Sequence, residues 1–189
     1  MGRLVAAPLG AALTQGSVID QLPWPVVVAT EDPPLGIVLT GACDLQWEKA
    51  SFVLIAGLLE ARPIIQGTIE FQERIASADA QNFISKNKWK SVHNWTKVWV
   101  HNEGVLRYFT IDADVLALPT MCVDFQMLLT MPVGQARERE IIAELPTPDR
   151  EKMIVHFSSY LCRIGVDRPG DVETATLING VCDPFKEAQ

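Results

Sequence analysis

Two short apolar runs, residues 36–41 (GIVLTG) and 51–58 (SFVLIAGL), restrict the possible folds of this chain more than any other feature. Both are nearly uninterrupted, a pattern typical of central strands that are covered on both faces. Short runs rich in Val, Ile and Thr, bounded by Pro, Gly and Asp, recur from Gly16 to about Pro132. Both runs are far shorter than the roughly 20 residues of a membrane span. The first two-thirds of the chain is therefore predicted to consist mainly of strands.

Turn residues indicate where further strands lie. Strands are expected at residues 17–22 and 121–131. A β-hairpin is expected from residues 98–101 and 105–111, because the three residues between them end in a glycine. The stretch 43–49 between the two apolar runs is polar.

Three helices are expected. The first begins at Ser77 as a capping residue and ends near the lysines at 86, 88 and 90, which suit the negative end of a helix dipole. In the C-terminal part the apolar period changes to 3.6, which predicts a helix at 135–145 and a second from Thr147 to Gly165. A tight Pro-rich turn joins this pair, so we expect a helical hairpin.

Charge and cysteine content exclude several classes of protein. The chain has 16 Lys and Arg against 23 Asp and Glu, a net charge of −7, so its surface is not basic all over and general phosphate binding is disfavoured. Its four cysteines form no C-x-x-C pair, which argues against a zinc ribbon and a dense disulfide framework.

Residues 4–13 resemble a signal-peptide core but are broken by Pro8. We expect a cytoplasmic protein with reduced thiols and no membrane association.

Short strands followed by terminal helices favour an α+β protein built on a small bent β-barrel, because barrel closure removes exposed sheet edges. The barrel is expected to carry one inserted helix and the C-terminal helical hairpin. The expected organisation is an N-terminal extension at 1–14, the barrel at 15–133, the hairpin at 134–165 and a tail at 166–189.

Residues 15–60 resemble the MazF/PemK family of toxin endoribonucleases. Gly16-Ser17-Val18-Ile19, residues 34–40 (PLGIVLT) and residues 52–56 (FVLIA) follow one another in the order of that family's first three strands. The resemblance implies an SH3-like barrel. It also implies a catalytic Arg at the start of the second strand, which would stabilise charge that develops on phosphate. Residues 31–35 (EDPPL) contain no Arg and are acidic, which puts ribonuclease activity in doubt.

Cys43 and Asp44, at the end of a predicted central strand, are the sharpest candidates for chemistry. Cys43 could act as a nucleophile or metal ligand, with His93 or His101 as the base that such a nucleophile needs. The simpler interpretation is a buried thiol, with Asp44 capping the next turn. His156 falls on the polar stripe of the last helix and is expected to be exposed.

The interval 86–101 (KNKWKSVHNWTKVWVH) combines basic and aromatic residues and has no acid. This composition suits a surface that binds single-stranded nucleic acid, or a protein interface with tryptophan anchors. The simpler interpretation, which we favour, is a helix end followed by a packed strand, with tryptophans in the core and lysines in solvent. The candidate binding residues are Lys86, Lys88, Trp89, Lys90, Trp95, Lys97 and Trp99.

Asp112 and Asp114, with Asp124, could form an acidic metal-binding cluster, although such residues more often end a strand and solvate a turn. Zinc binding through Cys43, Cys122, His93 or His101 lacks the short ligand spacing that would make it specific. The sequence contains no phosphate loop, nucleophile elbow, H-E-x-x-H motif or dinucleotide fingerprint. We therefore expect no metal and no cofactor.

The first hypothesis is a non-catalytic protein-interaction module of a bacterial multi-protein system, in a toxin-antitoxin or phage-defence context suggested by the barrel resemblance. Its partner would be another protein. The alternative is a nucleic-acid hydrolase, a toxin-like ribonuclease, that uses Cys43, Asp44 and the basic interval 86–101 on single-stranded substrates. A third hypothesis is a metal-dependent enzyme acting on a small molecule.

Overall fold

The structure, a computed structural model, describes residues 1–25, 35–76, 85–103 and 105–162. In these residues eight strands form one barrel-shaped, nearly closed sheet, accompanied by six α-helices, so the predicted α+β class with a small bent barrel is confirmed. None of the described helices is both long and apolar enough to cross a lipid bilayer.

The strands differ greatly in length, and the two longest are adjacent in the sheet. The sheet order is β1-β6-β7-β5-β4-β3-β8-β2. The strands are β1 (Gly2–Arg3), β2 (Val5–Ala6), β3 (Ser17–Ile19), β4 (Leu35–Val38), β5 (Phe52–Glu60), β6 (Tyr108–Asp112), β7 (Met121–Pro132) and β8 (Ile141–Glu144).

The helices are short apart from two. They are α1 (Ala42–Gln46), α2 (Ala61–Gln66), α3 (Ile69–Ile75), α4 (Lys86–Val100), α5 (Val133–Arg137) and α6 (Asp149–Cys162), with a 3₁₀ turn at Asp114–Leu116.

The first six residues connect the two ends of the sheet. β1 pairs in parallel with β6, and β2 pairs antiparallel with β8. Along the chain, only Leu4 separates β1 from β2. The Leu4 amide donates to the carbonyl of Asp112 at 3.0 Å. Strands β6 and β8 are otherwise separated by four strands in the sheet order, so this segment links two distant edges.

Both faces of the sheet are covered, which explains the uninterrupted apolar runs. Along β5, Ala56 and Leu58 belong to the largest core cluster, to which α6 contributes Met153. Val53 and Ile55 point to the opposite face, where α1 and α5 form a second cluster. A third cluster packs α2, α3 and α4 against Cys122 of β7.

The pairing of β5 with β7 contains a bulge. Ala56 pairs with Leu128 whereas the next residue, Gly57, pairs with Asp124. Residues 125–127 therefore have no opposite residue on β5, and the side chain of Met127 lies over Gly57. A Cβ atom at Gly57 would come within 2.5 Å of the Met127 sulfur, so a larger residue here would displace the flexible Met127 side chain.

The helix predicted at 135–145 is wrong for most of its length. α5 ends at Arg137, and Ile141–Glu144 is a strand that pairs with both β3 and β2. Helix propensity is a weak preference, and here two neighbouring strands and the burial of Ala143 override it. The second helix of the predicted hairpin exists as α6, and its described part ends at Cys162. Gly165 and the tail at 166–189 lie outside the described residues.

The β-hairpin predicted at 98–111 is also wrong in its first half. Residues 98–100 form the last turn of α4, and only the second half forms a strand, β6. Ser85 caps α4 by accepting from the Lys88 amide, so Lys86 begins a helix rather than ending one. The predicted cap Ser77 lies outside the described residues. Three alternating residues around Trp99 are too few to tell a strand from a helix, and the spacing of Trp95 and Trp99 is helical.

The polar stretch at 43–49 contains α1, which was not predicted.

Candidate docking surface

One face of α4 is basic and exposed to solvent. The helix contains four lysines and no acidic residue. Lys86, Lys90, His93 and Lys97 are all exposed, and their spacing of four, three and four residues places them on one stripe of the helix. Trp89 is 58% exposed beside this stripe, and its ring stacks on His93 with centroids 4.9 Å apart. We call these five residues the basic face. Lys88, although exposed, lies elsewhere, in a small cleft with Glu73 and Arg74.

The opposite side of α4 is anchored by aromatic packing. Trp99 is 4% exposed and stacks on Tyr108 of β6 with ring centroids 5.3 Å apart. Trp95, one turn earlier, lies 5.8 Å from Trp99 and 6.0 Å from Phe71 of α3. The three tryptophans of the interval are therefore divided, since Trp95 and Trp99 pack inward and only Trp89 is largely exposed.

A partly buried ion pair continues this aromatic stack. Arg107 donates from Nε to Oδ1 of Asp124 at 2.9 Å and from Nη2 to Oδ2 at 2.7 Å. The Asp124 side chain is 5% exposed, and the Gln126 amide also donates to it. The guanidinium lies 4.7 Å from the centroid of the Tyr108 ring. Hydrogen bonding to Asp124 raises the pKa of Arg107, and burial raises the pKa of Tyr108.

Cys43 and Asp44 lie on α1, in a different part of the molecule from α4. Both are exposed, so the interpretation of Cys43 as a buried thiol is wrong. Their helix packs through Leu45 into the second core cluster, whereas α4 packs into the third. Among the described residues, no recorded hydrogen bond or ring contact joins Cys43 or Asp44 to a histidine.

The three histidines have separate surroundings. His93 belongs to the basic face, and His101 is the exposed residue that ends α4. His156 is buried, and the expectation that it is exposed is wrong. Its Nε2 lies 3.1 Å from the Val105 carbonyl, and its ring packs against Phe109 and Phe125. Met153, one turn earlier, is also buried and lies on the same inward side of α6.

The three aspartates considered as an acidic cluster have other partners. Asp112 accepts from Arg3 Nε at 3.0 Å and from the Asp114 amide at 3.1 Å. The Asp114 amide and Arg3 lower the pKa of Asp112. Asp124 is held by Arg107 instead. In the part of the chain that the structure describes, no group of three or more His, Cys, Asp or Glu side chains is placed to hold a metal ion.

Sequence reasoning did not identify the pair of Arg107 and Asp124. The two residues are 17 positions apart and meet only because β6 and β7 are neighbours in the sheet. Their residue types alone carried no signal for this contact.

No family model matches the chain, and comparison with the curated proteins finds no match.

Proposed function

We propose that the protein is a non-catalytic interaction module that docks on an acidic surface of another protein through the basic face. One observation carries this proposal: α4 has four lysines, no acidic residue and an exposed tryptophan, although the protein as a whole has a net charge of −7. A cationic patch on an acidic molecule attracts anionic surfaces and orients the encounter. Trp89 supplies the apolar anchor that protein interfaces favour.

The packing of the tryptophans favours a protein partner over single-stranded nucleic acid. Proteins that bind single strands usually stack successive bases on several exposed rings along a groove. Here Trp99 is buried and Trp95 is half-buried, which leaves Trp89 as the largely exposed tryptophan of α4, already stacked on His93. A single aromatic anchor beside a stripe of lysines suits an acidic protein surface better.

The cellular context in this proposal comes from the resemblance of residues 15–60 to the MazF/PemK family. On that basis we place the module in a bacterial toxin-antitoxin or phage-defence system. Residues 31–35 lack the Arg that the family uses for cleavage, which supports a binding role. The barrel-like sheet is compatible with this assignment.

Site-specific crosslinking tests the docking surface. A photoreactive phenylalanine analogue replaces Trp89 in one sample and Trp47 in the other, because Trp47 is 67% exposed on the distant α1 side. We expect one specific protein to be crosslinked from position 89 in host cells and not from position 47. Lys90→Glu should remove this crosslink and Lys49→Glu should not. Equal crosslinking from both positions would contradict the proposal.

Nucleic-acid assays address the alternative. Purified protein is incubated with RNA and single-stranded DNA, with and without divalent metal ions. Neither should be cleaved, and Trp89→Ala should not change any weak oligonucleotide binding. Cleavage that is lost in Asp44→Ala would replace the interaction module with the hydrolase hypothesis.

A further inference from the structure

A groove of about 410 Å³ lies on the side of α4 that faces away from the basic face. Its walls include Trp95 and Trp99 of α4, Tyr108 of β6 and Glu70 of α3, and Leu106 and Arg107 also line it. The volume falls within the range of small-molecule sites. The aromatic walls are held by mutual stacking, and Arg107 is held by Asp124, so the groove is largely preformed.

The aromatic cluster around this groove contains hydrogen-bond donors without acceptors. Among the described residues, Trp99 Nε1 and Arg74 Nε are the buried side-chain atoms that lack a partner. Arg74 lies 5.6 Å from the Trp95 ring, so both orphan donors belong to one cluster. An unpaired buried donor is costly, and most buried donors in native proteins have a partner. Because Trp99 Nε1 is almost without solvent access, an acceptor reaches it only when a neighbouring side chain shifts, and the resulting hydrogen bond would remove this cost.

The charges around the groove select a neutral occupant. Arg107 is already neutralised by Asp124. Glu70 is exposed and forms no ion pair with any described residue. Glu70 lines the groove and disfavours a carboxylate or phosphate, whereas a ring N–H could donate to it. The cation of Arg74 lies at the Trp95 ring and is not part of the groove lining. Trp99 and Arg107 provide donors for a carbonyl oxygen.

We propose that this groove binds a neutral planar heterocycle with a lactam edge, in which a ring carbonyl lies beside a ring N–H. The carbonyl accepts from Trp99 or Arg107, the ring N–H donates to Glu70, and the flat ring packs against the outer faces of the aromatic walls. The inference goes beyond the proposed function, because the groove and the basic face lie on opposite sides of α4.

The test compares inosine with adenosine, which share the purine ring and ribose. Inosine has the lactam edge, and adenosine has an amino group and no ring N–H there. The chain has five tryptophans, so the indole N–H signals of a ¹⁵N-labelled sample are few, and Trp99→Phe assigns the relevant one. We expect inosine to move the Trp99 signal downfield, and adenosine to bind about tenfold more weakly or worse.

Two surface variants make the test specific. Glu70→Ala should weaken inosine binding about tenfold, and Glu73→Ala, an exposed change on the same helix, should leave it unchanged. Three results would each overturn the proposal: an unmoved Trp99 signal at millimolar inosine, equal binding of adenosine, or equal effects of the two variants. Crosslinking from Trp89 is independent of all three, so failure of this site and failure of the docking proposal are distinguishable.

Discussion

Arg107 and Asp124 show how one pair of residues organises its surroundings. The carboxylate accepts two bonds from the guanidinium and one from the Gln126 amide, directly at the bulge of β7. The guanidinium in turn covers one side of the Tyr108 ring. The pair therefore connects the bulge to the aromatic packing that holds α4.

A double-mutant cycle tests this coupling. Arg107→Ala leaves a carboxylate with little solvent access, and should lower the free energy of unfolding by about 1–3 kcal/mol, limited because the Arg107 side chain is 42% exposed. Arg107→Ala combined with Asp124→Ala should cost less than the sum of the single changes, as measured by urea denaturation. Strictly additive effects would mean that the ion pair does not stabilise the fold.

The cysteines should differ in reactivity. Burial raises the pKa of the Cys122 thiol to about 11, so almost none of it is thiolate at pH 8. Cys43 and Cys162 are exposed. Iodoacetamide at pH 8 should modify these two and spare Cys122 in the folded protein, with peptide mass spectrometry as the measurement. Modification of Cys43, Cys122 and Cys162 in urea is the control. Equal labelling of Cys122 in the native state would contradict its burial.

At the scale of elements, α6 packs against the barrel through one side. Met153 is completely buried in the largest core cluster, and His156 is held by the Val105 carbonyl. The rings of Phe157 and Tyr160 contact Phe125 at centroid distances of 5.1 and 6.1 Å. This helix therefore belongs to the same core as the strands.

A pair of substitutions on α6 checks this packing. Met153→Ala should lower the free energy of unfolding by about 2–5 kcal/mol, because it leaves a cavity in the core. Val155→Ala, at a side chain that is 66% exposed, should change it by less than about 0.5 kcal/mol. Chemical denaturation followed by circular dichroism measures both. A small loss in Met153→Ala would show that α6 is only loosely attached.

At the scale of the whole molecule, the first six residues join strands that are far apart in sequence and in sheet order. Arg3 lies in β1, where its guanidinium pairs with Asp112 at the end of β6. The stability of this junction thus includes an electrostatic part that depends on pH.

Acid should weaken the junction. The Asp114 amide and Arg3 lower the pKa of Asp112 below its ordinary 3.8, so the folded state favours the charged carboxylate. The resulting stability is fully present above pH 3.8 and is lost as pH falls through the lowered pKa. At pH 6 the melting temperature of the wild type should therefore be higher than that of Asp112→Asn. This difference in melting temperature should shrink towards pH 2. A constant difference across that range would contradict this account.

Local patterns predicted β3 to β7 but missed β1, β2 and β8, and they predicted the helices unevenly. The apolar runs led to β4 and β5, and the capping signals at residues 147–149 led to α6. Residues 98–100 and 141–144 were misassigned because their short patterns fit either a helix or a strand. Neighbouring elements decided between the two. The basic and aromatic composition of residues 86–101 was visible in the sequence, but the division of its tryptophans between core and surface was not.

By itself, the sequence determined the α+β class, the strand-rich first part and the basic and aromatic composition of residues 86–101, because apolar period, turn chemistry and charge are local properties. Only the tertiary structure decided that the first six residues join the edges of the sheet, that Asp124 meets Arg107 and that Trp99 lines a groove. These contacts join residues that are distant along the chain, and their geometry arises from strand order and helix packing.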